Sequence, residues 1–259
     1  MSLLETRSIT MKFGGLTAVG DVSMKVKPSR LHALIGPNGA GKSTLINVIS
    51  GFYRPTSGSL LFEGQEVQGR GSAQLSHLGI SRTFQNLRLF RNLTVMENIL
   101  IGLHNQIDVS FLPSLLRTSG HRAAEREAME TAEAMLNEVG LREFRDRPAR
   151  TLPYGKQKWL EVARSLVSRP KLLLLDEPAA GLNATESEEL EQFIRTLPDK
   201  GVTVLLIEHD MRLVMSLAER ITVLNFGRVI AEGTPQEVRD DPTVIEAYLG
   251  KGRSHAAAH

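Results

Sequence analysis

Apolar and polar residues alternate at the start of the chain. The stretch 3–13, LLETRSITMKF, and the stretch 22–28, VSMKVKP, both show the period of two expected of strands with one buried face. LHALI at 31–35 is a short apolar run that ends in Gly-Pro-Asn-Gly, the pattern of a buried strand closed by a turn. STLINVISGF then reads as a helix, and SGSLLFEGQEV at 57–67 as a strand pair. From about Leu93 to Val167 the period changes to a helical one, with helices over 93–103, 121–140 and 158–167. In the second of these, Ala124, Ala128, Ala132, Met135, Leu136 and Val139 form a stripe that predicts a core-facing side. KLLLLDEP at 171–178 and VTVLLIEHD at 202–210 read as buried strands separated by a helix, TESEELEQFIRTL. Continuous apolar strands alternating with helices predict a parallel sheet covered on both faces. ITVLNFGRVIAEG reads as a hairpin, and both Thr234-Pro235-Gln236-Glu237 and Asp241-Pro242 carry helix-start signals.

The expected architecture is an α/β core over 1–90 and 166–250, an all-helical insertion over about 91–165, and a frayed tail over 251–259. The N-terminus lacks the apolar stretch of a signal peptide, and no run approaches the roughly 20 residues needed to span a bilayer. A soluble protein, or one held at a membrane by a partner, is expected. There is no cysteine, which excludes disulfides, zinc-thiolate sites and thiol nucleophiles. A net charge of +2 gives no electrostatic case for nucleic-acid binding.

The chemistry concentrates at strand ends. GPNGAGKST at 36–44 fits G-x-x-x-x-G-K-[ST] between a buried strand and a helix, the context the phosphate loop requires. Gly36, Gly39 and Gly41 permit the backbone of Gly36, Pro37, Asn38, Gly39, Ala40 and Gly41 to turn its amides inward as an anion cradle. Lys42 supplies a positive charge for the β- and γ-phosphates, Ser43 a hydroxyl for Mg²⁺, and Thr44 a further donor. LLLLDE at 172–177 ends a strand in two acids: Asp176 is expected to hold Mg²⁺ and Glu177 to polarise the attacking water. His209 follows the next strand and so emerges at the same sheet edge, where open α/β sheets bind ligands. It is expected at the γ-phosphate or the attacking water. Gln85, in SRTFQN, stands where the chain leaves the core and is expected to touch Mg²⁺ and water.

In this order and spacing, these pieces resemble the ATP-binding-cassette (ABC) ATPases, a P-loop fold with an N-terminal antiparallel β part and a helical subdomain. The resemblance covers roughly residues 3–250 and adds LPYGKQ at 152–157 and AAGLN at 179–183. LPYGKQ stands where the family carries its signature, which completes the ATP site of an opposed subunit. The resemblance implies that Pro153, Tyr154 and Gly155 reach the other subunit's ATP. Two residues depart from the family pattern. Pro153 replaces a serine and supplies neither hydroxyl nor N–H, although it suits a helix's first turn. The Gly155 amide and the Tyr154 hydroxyl are then expected to carry the contact. Asn183 replaces the usual Asp of the turn, which puts the inter-subunit contacts there in doubt. Phe13 matches the aromatic that stacks on adenine.

FGGLTAV, LPYGKQ, LLLLDEPAAGLN, LLIEHDM and EGTPQEVRDDPTVIEAYLG resemble ATPase subunits of bacterial branched-chain amino-acid importers, with urea and amide importers as the alternative. The resemblance implies an ATPase at the cytoplasmic face of the inner membrane that uses ATP and Mg²⁺. Its implied partners are a second ATPase subunit, identical or different, transmembrane permease subunits, and indirectly a solute-binding protein. One phosphate loop and one signature per chain mean that two chains must meet head to tail. A soluble ABC ATPase of DNA repair or translation would carry tandem cassettes or a long coiled coil, and neither is present. A small-molecule kinase would lack the signature and the histidine.

Overall fold

The computed structural model describes residues 1–85, 87–103 and 119–249. The tail expected at 251–259 lies outside them. Two sheets form. Strands β1 (Leu4–Phe13), β2 (Leu16–Val26), β4 (Ser57–Phe62) and β5 (Gln65–Glu66) make an antiparallel sheet in the order β2-β1-β4-β5. Strands β3 (Leu31–Ile35), β6 (Ile80–Arg82), β7 (Leu172–Asp176), β8 (Thr203–Ile207), β9 (Arg220–Asn225) and β10 (Arg228–Gly233) make the second, in the order β10-β9-β3-β8-β7-β6. All its neighbours pair parallel except β10, which closes a hairpin on β9.

The parallel strands β3, β7 and β8 are buried at every position, so their apolar side chains pack on one face or the other and their few polar ones, such as His32 on Thr222, need a polar partner. Their period of two divides the core into two layers. Leu34, Leu172, Leu174, Leu205, Ile207 and Leu224 face the antiparallel sheet and helix α1 (Lys42–Ile49), which lies between the sheets. Ala33, Ile35, Leu173, Leu175, Val204, Leu206, Ile221 and Val223 face the helices on the other side.

Those helices include α3 (Val95–Leu103), α4 (Ser119–Glu138), α5 (Tyr154–Leu166), α6 (Ala184–Thr196) and α7 (Met211–Leu217); α2 (Ser72–His77) precedes β6. Helices α8 (Pro235–Asp240) and α9 (Pro242–Leu249) close the chain. Both expected starts are built: Thr234 and Glu237 exchange capping-box hydrogen bonds, and the Asp241 carboxylate accepts the Thr243 amide at 2.7 Å. The apolar stripe of α4 packs at Ala128, Ala132 and Leu136, and Val139 just beyond it is also buried, but Ala124 is exposed. Residues 123–127 are all exposed, so among the described residues this turn of the helix meets no core. Pro153 is a second correction. It takes the cap position outside α5, with φ −54° and ψ 152°, rather than a place in the first turn.

Close packing of the helical layer rests on Gly102. A methyl group there would overlap the backbone carbonyl of Arg164 on α5 and approach Val167 Cγ1 to 2.7 Å. Neither obstacle is the end of a flexible side chain. Gly102→Ala is therefore expected to push α3 off α5 and cost about 1–3 kcal/mol, despite alanine's better helix propensity. Urea unfolding checks this, and an unchanged or higher midpoint would contradict it.

Candidate nucleotide site

The loop between β3 and α1 is shaped by steric exclusion. Gly36 has φ 151° and a Cβ there would overlap the Leu224 carbonyl; Gly41 has φ 100° and its Cβ would lie 2.6 Å from the Ala18 carbonyl. Only glycine fits both requirements. Gly41 occupies the N-cap of α1 and brings no side-chain acceptor, which leaves the first amides of the helix without a capping side chain. The cleft beside this loop holds about 430 Å³. Its walls are residues 38–44, Thr17 and Ala18 on β2, Leu16, Gln85, Asp176, Glu177, Ile207 and Phe226.

Lys42 is buried, and its ammonium donates to the carbonyls of Gly36 at 2.6 Å and Pro37 at 3.1 Å. Burial pushes its pKa below the ordinary lysine value, while Glu177 and Asp176 pull it back up. Asp176 ends β7 beside β8, pairing across from Ile207. Its carboxylate accepts from Arg82 at 2.9 Å, with both side chains about nine-tenths buried. Glu177 is the next residue and has φ 48°, a left-handed backbone that costs a non-glycine residue on the order of 1–3 kcal/mol. Its amide donates to the Ile207 carbonyl at 2.9 Å, which ties the strained turn to β8.

The Glu177 carboxylate is addressed from two sides. Gln85 Nε2 donates to Oε2 at 3.0 Å, and His209 Nδ1 stands 3.5 Å from Oε1. Gln85, Glu177 and His209 come from three distant segments and meet because β6, β7 and β8 are parallel neighbours. With its amide nitrogen on Glu177, Gln85 keeps its side-chain oxygen available. Ser43, Gln85 and Asp176 thus present oxygen donors in one cleft, a set that suits a hard divalent cation such as Mg²⁺.

Several expected residues stand apart from this cleft. Tyr154 and Gly155 open α5, Pro153 caps it, and none of the three lines the cleft. The Tyr154 hydroxyl donates to the Ala180 carbonyl at 3.2 Å, within the same chain. Gly155 is covered by the Glu186 carboxylate, which a Cβ would overlap. Glu186 is held in turn by Asn183, which accepts the Glu186 amide at 2.9 Å and returns its own to the carboxylate at 3.0 Å. Asn183 therefore caps α6. Phe13 lies at the end of β1, 43% exposed, with its ring edge-on to Tyr53 at 5.4 Å. Leu16, not Phe13, forms the cleft wall on that side.

The sequence pattern did not single out three buried groups near the site. Arg82 pairs with Asp176. Glu161 on α5 accepts the amides of Phe84 at 3.4 Å and Arg88 at 3.3 Å, and burial raises its pKa. Glu208, beside His209, accepts the amides of His209 at 3.1 Å and Ala179 at 3.4 Å, again with a pKa raised by burial. A charge within an otherwise apolar run, as in KWLEVA and VLLIEH, was the available signal.

The sequence profile described as "ABC transporter" matches residues 19–180. The chain belongs to the ABC transporter family. A second profile, "Branched-chain amino acid ATP-binding cassette transporter", matches residues 228–253 of this cassette. The cassette is 49% identical over 250 residues to the high-affinity branched-chain amino acid transport ATP-binding protein BraF of Pseudomonas aeruginosa, covering 96% of this chain and 98% of that one. It is 46% identical to the corresponding LivG protein of Escherichia coli strain K12, with the same coverage. Among solved structures it superposes on the ADP conformation of an ABC transporter's ATP-binding cassette with a TM-score of 0.83. That pair is 35% identical, over 96% of this chain and 99% of the other. This cassette is accordingly a nucleotide-binding ATPase of a membrane transporter. Among the described residues, no helix is long and apolar enough to cross a membrane itself.

Lys42→Ala removes the ammonium expected to meet the phosphates, the one lysine lining the cleft among the described residues. Loss of a charged hydrogen bond is worth roughly 1.5–3 kcal/mol, so ATP affinity is expected to fall about tenfold or more. Calorimetric titration with ATP checks this, and an unchanged affinity would contradict the cradle.

Proposed function

We propose that this cassette hydrolyses Mg-ATP at an interface with a second ATPase subunit and so energises an importer of branched-chain amino acids. The observation that carries the reading is the convergence of Gln85, Glu177 and His209 beside the phosphate loop, with the signature residues turned elsewhere. The named relatives and the profile match at 228–253 support the solute class.

In this reading the triphosphate lies along the amides of residues 38–44, and Lys42 exchanges the carbonyls of Gly36 and Pro37 for β- and γ-phosphate oxygens. Ser43, the Gln85 side-chain oxygen and Asp176 hold Mg²⁺, which when bound neutralises phosphate charge. Glu177 orients the attacking water and takes its proton. Gln85 Nε2 fixes one carboxylate oxygen and His209 Nδ1 stands 3.5 Å from the other, so that the base is oriented before substrate arrives. Phe13, backed by Tyr53, stacks on the adenine. The cap and first turn of α5, Pro153 with Tyr154 and Gly155, meet the γ-phosphate of the opposite subunit. Since the Tyr154 hydroxyl already serves Ala180, the backbone amides of that turn are the available donors. A groove of about 330 Å³ beside Gln85, walled by Phe52, Tyr53, Phe84 and Arg88, receives the permease. The cassette then sits peripherally at the cytoplasmic membrane face, and a solute-binding protein delivers the amino acid from the far side.

In vesicles reconstituted with its permease partners, the wild type is expected to drive ATP-dependent uptake of labelled leucine, with no competition from urea. Glu177→Gln should still bind ATP and abolish uptake, with turnover lowered about 10²–10⁴-fold. Turnover above about a tenth of wild type would exclude Glu177 as the principal base. Urea uptake in place of leucine would overturn the solute assignment.

Pro153 has no donor for an opposed phosphate, which predicts weak ATP-driven pairing of the isolated subunit. In a Glu177→Gln background, Pro153→Ser adds a hydroxyl worth roughly 1.5–3 kcal/mol, tightening the ATP-bound pair about tenfold or more. Light scattering with and without Mg-ATP reads the dimer fraction. Unchanged or weaker pairing would show that the proline is fitted to a partner of different sequence.

A further inference from the structure

We propose that Arg82 is a positioning residue for the metal: it holds the Asp176 carboxylate in the orientation that Mg²⁺ requires and ties that carboxylate to the Gln85 segment. The inference rests on the Mg-ATP reading above and concerns a residue outside the expected donor set.

Arg82 ends β6, the strand that leads directly into Thr83-Phe84-Gln85. Its guanidinium makes three hydrogen bonds to two other elements. One terminal nitrogen donates to Asp176 Oδ2 at 2.9 Å, at the end of β7. The other donates to Asn47 Oδ1 at 2.7 Å and Ser50 Oγ at 2.9 Å, both from the phosphate-loop helix α1 or its cap. Phe84 and Phe52 flank the guanidinium, with ring centroids 5.0 Å and 5.8 Å away. The side chain is 10% exposed and that of Asp176 9%. The same groove that exposes Ser43, Gln85 and Asp176 is walled by Arg82.

This geometry is selective for one carboxylate oxygen. With Oδ2 engaged, Asp176 cannot rotate freely, and its other oxygen is left for the cation or a water on it. Groups that hydrogen-bond a metal's carboxylate ligand typically change metal affinity 10–100-fold when removed. An opposing effect acts on the same site, because a guanidinium charge this close repels Mg²⁺. The orientation effect prevails here because Arg82 is anchored independently by Asn47 and Ser50, so it cannot follow the metal or vacate the carboxylate. A buried carboxylate without that partner would instead be free to turn to another donor.

The test measures fluorescent ATP-analogue binding in EDTA and then across a Mg²⁺ titration, for wild type, Arg82→Gln and Arg82→Lys. Wild type that binds no nucleotide in either condition would defeat the Mg-ATP reading itself. With wild type binding, Arg82→Gln is expected to keep its metal-free affinity and to need about 10–100-fold more Mg²⁺ for half-saturation, with Arg82→Lys recovering part of the loss. An unchanged or lowered Mg²⁺ requirement overturns the proposal and makes Arg82 a strut or a competitor of the metal. If both variants fail to bind in EDTA, Asn47→Ala, which removes one anchor and keeps the arginine, decides. A raised Mg²⁺ requirement supports the proposal and an unchanged one overturns it.

Discussion

Parallel pairing of β3, β6, β7 and β8 is the constraint on which the site depends. Parallel strands end at a common edge, so residues distant in sequence come together without any loop having to reach for them. Leu174 pairs with Arg82 and with Leu205, and Asp176 with Ile207, so a shift of one residue would move each catalytic candidate and reverse its face. The register is held by burial. Leu173 and Leu175 must face the helical layer while Leu172 and Leu174 face α1 and the antiparallel sheet. Each fully buried leucine is worth roughly 1.5–3 kcal/mol. A slipped strand would exchange the two sets at once and carry Asp176 inward.

Polar groups at that edge are arranged before any ligand arrives. Lys42 is bonded to the carbonyls of its own loop, and Glu177 is bonded by Gln85 and faces His209 in a backbone conformation that costs energy. Such strain persists only where the surroundings over-determine it. Here the hydrogen bond from Glu177 to Ile207 and the buried Glu208 carboxylate on the Ala179 amide brace the turn from both ends. The folded chain therefore bears part of the cost of organising the reaction.

Much of this was legible in the residues. Buried strands announce themselves as LHALI, LLLLD and TVLLI, because a strand covered on both faces is mostly apolar and keeps a polar side chain only with a partner, as His32 has in Thr222. The phosphate loop is legible because its glycines have steric reasons, which the Leu224 and Ala18 carbonyls supply. What stayed hidden depends on contacts between segments. The periodicity that placed Ala128, Ala132 and Leu136 inward also pointed Ala124 inward, but period alone does not say where a neighbouring helix ends. Pro153 was displaced by one position, since the same φ serves a cap and a first turn, and ψ decides. Arg82 and Glu161 look like ordinary surface charges until folding supplies Asp176 to one and the Phe84 amide to the other.

Those two hidden charges define how the Gln85 segment can move. Arg82 fastens its entry to β7 and α1, and Glu161 accepts amides on both sides of Gln85 from the middle of α5. The opening turn of α5 carries Tyr154 and Gly155, with Pro153 at its cap. A helix is stiff along its axis, so a displacement of that first turn is transmitted to Glu161, about two turns further on. Glu161 is buried and takes a raised pKa from that burial, which makes parting from its amide donors costly. Phe84 and Arg88 are thus tied to the helix that follows Pro153, while Arg82 is tied to the core that holds the acids. Gln85 lies between the two anchors and is bonded to Glu177, so its side chain is placed by contacts from β7, α1 and α5 together.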